Sequence, residues 1–218
     1  MRPSIRWLAL GGLAGPFLFE IVVVIEEFLQ RGFLLSVGFD PLKSNFPSVN
    51  ALGPVGWMQT INFILVGLLI IGFAFALHFG ISGGHGSIAG PVCIGLSGAA
   101  LIVAGLFQTD LPVEAKPHTF HGGMHALAFV VSSLVTLVGY ILLALRFRAD
   151  PYWKGYGLFS VVIAVASIIA FVAPNLVHNV VVAYAGYVIQ AVWFVVVGLK
   201  LWFSLSRSNH RAEAHRTA

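Results

Sequence analysis

The chain has 218 residues, of which 58% are hydrophobic and 9% charged, and its mean hydropathy is +0.93. Soluble domains carry about 25% charged residues, so this composition excludes an ordinary soluble protein and indicates one that lies mostly in lipid. The net charge of +4 comes from basic residues gathered at particular chain positions, which is a topology signal and excludes a nucleic-acid-binding surface. The single cysteine excludes an intramolecular disulfide.

Six apolar runs follow one another along the chain, and a bilayer core takes about 20 apolar residues per helix. They predict an all-α, polytopic membrane bundle of six transmembrane helices that forms a single domain over residues 1–218. The predicted localisation is integral to the cell membrane, with multiple passes. The predicted spans are about 7–25, 57–79, 88–107, 121–145, 155–174 and 181–203.

The first predicted span contains Pro16 and Glu20. An ionisable side chain at membrane depth is costly and is by default paired or functional, so Glu20 is a candidate site residue. A structural hydrogen bond to a neighbouring helix is the alternative. The following segment, up to Val55, is rich in turn residues and aromatic residues and is predicted to lie on the bilayer surface.

The second and third spans carry two different packing signals. Gln59 and Asn62 are three positions apart, so they share a helical face at the start of the second span. The third span is rich in Gly, Ala and Ser, which let helix backbones approach closely in lipid. We therefore expect the third span to occupy a central packing position.

The basic residues are distributed unequally between the two sides of the predicted bundle. Nine of the 12 lie on the side of the termini, and three lie on the other side. By the positive-inside rule, both termini are predicted to be cytoplasmic. The nine are Arg2, Arg6, Arg146, Arg148, Lys154, Lys200, Arg207, Arg211 and Arg216, and the three are Arg31, Lys43 and Lys116.

Most of the unusual chemistry lies between the third and fourth spans, at residues 108–125. Lys116-Pro117 is typical of a helix start, and the histidines that follow, His118, His121 and His125, are spaced by three and four residues. That spacing places them on one helical face, which continues inward through Ser132 and Thr136. Such a polar stripe is expected to point into the bundle and not at lipid.

Imidazoles with a carboxylate are the usual ligands of zinc in a catalytic site, which takes three protein ligands and leaves one position open for water. The predicted ligands are His118, His121, His125 and Asp110, with Glu20 or Glu114 as general base and His178 as a further ligand or acid. The corresponding function is a metal-dependent hydrolase that acts on a membrane lipid or another amphipathic molecule at the extracytoplasmic face.

Two alternatives remain open. The histidines can equally finish a helix end by hydrogen bonding to interfacial water, headgroups or loop carbonyls, with no metal. The protein can also be a non-enzymatic binding, transport or membrane-organising protein whose cavity accommodates a lipid or small amphiphile.

Four short segments carry a resemblance to a known family: Ser44 to Asn50, Trp57 to Phe63, Gly105 to Asp110 and His121 to His125. On these the chain resembles the six-helix membrane family designated domain of unknown function 998. The resemblance implies a fold and a topology and draws attention to Asp110, His121 and His125. It implies no particular activity.

Overall fold

The structure is a computed structural model, and it describes the backbone of residues 3–41, 46–81, 88–111, 119–177 and 180–217. Side chains are described in the same ranges except at 3–4, 173–184 and 207–217. All regular elements in this part of the chain are helical, which confirms the predicted all-α class there. The α-helices are α1 (Pro3–Ala9), α2 (Gly11–Leu29), α3 (Arg31–Ser36), α4 (Trp57–Gly80), α5 (Ala89–Leu106), α6 (Phe120–Ala149), α7 (Tyr156–Val177) and α8 (Val180–Thr217), and short 3₁₀ helices cover Pro47–Leu52 and Pro151–Trp153.

Four helical segments among the described residues are long and apolar enough to cross a membrane. They are Trp57–Gly80, Ala89–Leu106, Phe120–Ala149 and Ala185–Ser206. α7 adds a shorter apolar stretch, and α2 is apolar but carries three glutamates. These findings support a helical membrane protein, while six spans, cytoplasmic termini and the cell membrane in particular stay predictions.

The first predicted span is divided in the structure. α1 ends at Ala9, and α2 continues to Leu29, past the expected end of the span, with Pro16 inside it. Glutamate is a good helix former, and Glu26 is fully buried against protein, so the acidic pair that follows the apolar run extends the helix instead of ending it.

The long helices form a closed ring. α4, α5, α6, α7 and α8 each pack against the next, and α2 packs against both α4 and α8. Aromatic side chains fill the core, where the rings of Tyr140 and Trp193 lie 4.2 Å apart. The indole N–H of Trp193 donates to the hydroxyl of Ser160 at 2.8 Å, so the buried polar atom is paired.

α5 lies between α4 and α6, as its small residues predict. Gly67 of α4 and Gly98 of α5 face each other so closely that a Cβ on either would press on the carbonyl oxygen of the other. The two backbones are therefore in contact, which is the close approach that the small residues predict. A central position is not confirmed, because α5 packs against its two ring neighbours while α4 also contacts α1, α2 and α8.

Basic residues from different parts of the chain meet at one end of the bundle. The guanidinium of Arg6 lies 4.6 Å from the ring centre of Trp202, near the end of the apolar segment Ala185–Ser206 of α8. Arg146, near the end of α6, donates to the carbonyl oxygen of His78 at 2.9 Å, and Leu201 of α8 lies against Gly80. The charge pattern thus predicts which helix ends are neighbours, although the contacts do not test the side of the membrane on which they lie.

Candidate functional site

A cavity of about 590 Å³ lies in the middle of the ring, between α2, α4, α5, α6 and α8. Segments 46–48 and 109–111 also line it, so two loops contribute to its wall. Most of the wall is apolar. The polar side chains that line it are Glu20, Ser48, Ser97, Thr109, Asp110, His125, Ser132, Ser133, Thr136, Tyr187 and Gln190.

The polar stripe of α6 forms one side of this cavity. Ser132 and Thr136 are 8% and 4% exposed and line it, which is the inward orientation that their spacing from His125 predicts. The hydroxyl of Ser132 donates to the carbonyl oxygen of Ser97 at 3.1 Å and ties α6 to α5. The stripe is therefore both a packing contact and a cavity wall.

His125 is buried where α5 ends. Its Nδ1 lies 2.9 Å from the carbonyl oxygen of Ala104 and 3.0 Å from that of Phe107. Because both partners are acceptors, Nδ1 carries a proton and donates it. The last carbonyls of a helix lack partners within the helix, so His125 stabilises the C-terminus of α5 from α6.

Asp110 performs the corresponding role at the start of α6. Its carboxylate accepts the backbone N–H of Thr119 at 2.9 Å and the Thr119 hydroxyl at 2.7 Å. Thr119 is the N-cap of α6, and its side-chain oxygen accepts the N–H of Gly122 at 3.0 Å. The negative charge also lies at the positive end of the helix dipole.

Gly122 is required by this arrangement. A Cβ at this position would overlap both carboxylate oxygens of Asp110, whereas a Cβ at the neighbouring Gly123 would meet nothing within 4 Å. From the sequence, the two glycines only weaken the helix between His121 and His125. In the structure, the first lets a carboxylate approach the α6 backbone.

The two loops that line the cavity also contact each other. The side-chain amide of Gln108 donates to the carbonyl oxygen of Ala51 at 3.2 Å. Ala51 belongs to the 3₁₀ helix of the first loop, and Gln108 immediately precedes Thr109 and Asp110. The first loop and the segment that follows α5 are therefore held together at the cavity.

The family comparison covers nearly all of this architecture, since a model described as "Protein of unknown function (DUF998)" matches residues 13–202. The chain belongs to the DUF998 family. The resemblance found in the sequence is confirmed. No curated protein and no solved structure matches the chain.

Within this DUF998 fold, the predicted zinc ligands occupy different environments. Among the described residues, no three His, Cys, Asp or Glu side chains are close enough together to hold a metal ion. His121 is exposed and does not line the cavity, and its ring packs 5.3 Å from that of Phe107. His118, Glu114 and His178 lie outside the described residues. The described residues alone do not make up a zinc site.

Glu20 is the site residue that α2 contributes. It is half-buried and lines the cavity together with Pro16 and Phe19. Asn62 of α4 donates to the carbonyl oxygen of Phe19 at 3.1 Å, so α2 is fixed beside α4 next to this glutamate. Glu20, Asp110 and His125 therefore share one cavity although they come from three separate parts of the sequence.

Two cavity residues of α8 were missed or undervalued from the sequence. From the sequence, neither Tyr187 nor Gln190 stands out as a site residue, since a glutamine in an apolar span commonly forms interhelical hydrogen bonds. Both line the cavity together with Ala191 and Phe194, at spacings of three, four and seven residues from Tyr187. That helical periodicity was a usable signal, but a tyrosine in an apolar span is more often packing.

A buried glutamine outside the cavity lining fixes the first loop. Gln30, at the end of α2, donates to the carbonyl oxygen of Asn50 at 2.8 Å and accepts from the N–H of Val55 at 3.3 Å. The part of the loop that follows the lining residues 46–48 is thus held by hydrogen bonds between its backbone and a side chain. Gln30 was not recognised from the sequence.

Proposed function

We propose that this DUF998 protein binds a lipid or a similar amphipathic small molecule in the cavity at the centre of its helical bundle. The observation that carries the proposal is the cavity itself, of about 590 Å³, with an apolar wall and one polar stripe. Ligand pockets commonly measure about 300–1,000 Å³ and combine apolar walls with a few polar groups. An amphiphile matches both parts of such a lining.

Polar groups decide the selectivity of a site of this kind. A ligand that enters from the bilayer exchanges lipid tails for apolar side chains, and these are equally apolar environments. Transfer of its tail therefore contributes little to the free energy of binding, whereas its head group forms the hydrogen bonds that the cavity offers. Ser133 and Thr136 on α6 and Gln190 on α8 line the cavity and supply groups of this kind.

The positions of Asp110 and His125 favour binding over metal-dependent hydrolysis. Each makes hydrogen bonds that connect α5 and α6, so each has a structural reason to be where it is. Hydrolysis through zinc would need ligands from His118 or His178, which lie outside the described residues. Only the shared location of Glu20, Asp110 and His125 supports it, and it stays a prediction.

The binding proposal is tested by photolabelling of the full chain in nanodiscs with a long-chain alcohol that carries a diazirine. Labelling that unlabelled hexadecanol competes away measures the saturable site. Ala126 lines the cavity, and the adjacent Leu127 is 57% exposed on the outer surface. Ala126→Phe fills the cavity and is expected to remove the competable labelling, while the matched control Leu127→Phe retains it.

Loss of the competable fraction in both variants, or in neither, would contradict the proposal. A wild-type protein without competable labelling would contradict it as well. Thermal unfolding of each variant in the same nanodiscs shows whether it is folded before its labelling is interpreted.

A further inference from the structure

Acidic side chains are part of the described lining of the cavity. The described lining residues include two carboxylates, those of Glu20 and Asp110, and no lysine or arginine. Asp110 accepts two hydrogen bonds from Thr119, which offset part of its charge at the start of α6. Glu20 lines the same cavity from α2.

Aromatic rings surround the same space. Besides Tyr187, five phenylalanines from four helices and the first loop line it: Phe19, Phe46, Phe63, Phe129 and Phe194. The face of an aromatic ring attracts a cation, and quaternary ammonium groups are bound by such rings in other proteins. The rings and the carboxylates therefore favour the same sign of ligand charge.

An anionic head group would meet the opposite conditions. It would lose hydration on entering an apolar cavity, and the described lining offers no lysine or arginine to replace that hydration. It would also be repelled by Glu20 and Asp110. The cavity would therefore discriminate against anionic amphiphiles by repulsion, in addition to attracting cationic ones.

We infer that the ligand of this cavity is an amphiphile whose head group carries an ammonium cation, held by the Glu20 carboxylate among aromatic rings. This inference rests on the proposed function. It goes beyond that function by naming the chemical class of the head group. Primary and quaternary ammonium heads share the required charge, and separate competitors distinguish them.

The test compares competitors of equal chain length in the photolabelling assay. The series consists of hexadecylamine, hexadecyltrimethylammonium, hexadecanol and hexadecyl sulfate. At least one ammonium compound is expected to compete at a concentration about tenfold or more below that of hexadecanol, which corresponds to about 1.4 kcal/mol. The sulfate is expected to compete no better than the alcohol.

Two acidic residues provide a pair of variants. Glu20 lines the cavity, and Asp150, at the C-terminal end of α6, does not. Glu20→Gln should bring the ratio between alcohol and ammonium potency towards one, and Asp150→Asn should keep the wild-type ratio. Because each variant is described by the ratio of two potencies measured on the same protein, differences in the amount of folded protein cancel.

Equal potency of the ammonium compounds and hexadecanol on wild-type protein would overturn the inference, and so would stronger competition by the sulfate. An unchanged ratio in Glu20→Gln would also overturn it. In each of these cases competition by hexadecanol leaves the binding function standing. If no competitor displaces the label, the binding function itself fails, so the two failures are distinguishable.

Discussion

Asp110 and Thr119 join the end of α5 to the start of α6 through two hydrogen bonds, one from the Thr119 N–H at 2.9 Å and one from its hydroxyl at 2.7 Å. His125 makes the reverse connection, from α6 back to the last carbonyls of α5. Asp110 and His125 thus hold α5 and α6 together, and the inner faces of these two helices line the cavity. Their first role is to shape the site.

Replacement of Asp110 tests this role. Asp110→Ala removes the acceptor of two hydrogen bonds and a charge at a helix N-terminus, and we expect it to lower the free energy of unfolding by about 1–3 kcal/mol. Asp110→Asn keeps one acceptor oxygen and should be intermediate. Unfolding in mixed micelles by a denaturing detergent measures both, and an Asp110→Ala protein as stable as wild type would contradict the assignment.

The two adjacent glycines of α6 give a sharper comparison. Gly122→Ala places a methyl group against the Asp110 carboxylate and should destabilise the protein. Gly123→Ala meets nothing within 4 Å and should be neutral or stabilising by up to about 1 kcal/mol, since alanine favours helix.

A double variant provides the control for the glycine comparison. Asp110→Ala removes the group that the new methyl would strike, so Gly122→Ala should cost less in that background than in wild type. Strictly additive effects on the free energy of unfolding would show that Gly122 is not required by Asp110.

Metal content separates the two candidate functions. Protein purified without a histidine tag and without chelators is expected to contain no stoichiometric metal if the cavity is a binding site alone. Elemental analysis of wild type, His121→Ala and Asp110→Ala measures this. About one zinc per chain, lost in both variants, would instead support the hydrolase.

Membrane orientation is tested by reporter fusions. The nine-to-three distribution of basic residues predicts that Thr119 faces away from the cytoplasm and that Asp150 faces it. A periplasmic phosphatase fused after Thr119 should be active, and one fused after Asp150 should be inactive. The reverse pattern would place the loop end of the cavity at the cytoplasmic face.

Periodicity explains why part of the site could be predicted from the sequence. The spacing of His125, Ser132 and Thr136 follows the helical repeat, and an ionisable residue in an apolar helix, such as Glu20, stands out because lipid cannot solvate it. These four side chains line the same cavity in the structure. The close contact between α4 and α5 could be predicted as well, because small residues let helix backbones approach in lipid.

Contacts that depend on tertiary geometry could not be predicted. No local sequence pattern shows that Asp110 accepts hydrogen bonds from Thr119, nine residues later. Nor does it show that Gly122 leaves the space that the Asp110 carboxylate occupies. Gln30 holds a backbone segment 20 to 25 residues away, and no periodicity encodes such a pairing. The exposure of His121 could not be predicted for the same reason, because one edge of its helical face borders the cavity and the other borders the outer surface.

The most direct test of amphiphile binding is to map where the photoactivatable alcohol attaches along α6. Ser133 and Phe129 line the cavity, while Leu134 and Val130 are 57% and 50% exposed on the outer surface. Peptide mass spectrometry after labelling in nanodiscs is predicted to find attachment at Phe129 and Ser133 that hexadecanol competes away, together with non-competable attachment at Val130 and Leu134. Attachment confined to the outer residues, or competition equal on both faces, would contradict a ligand-binding cavity.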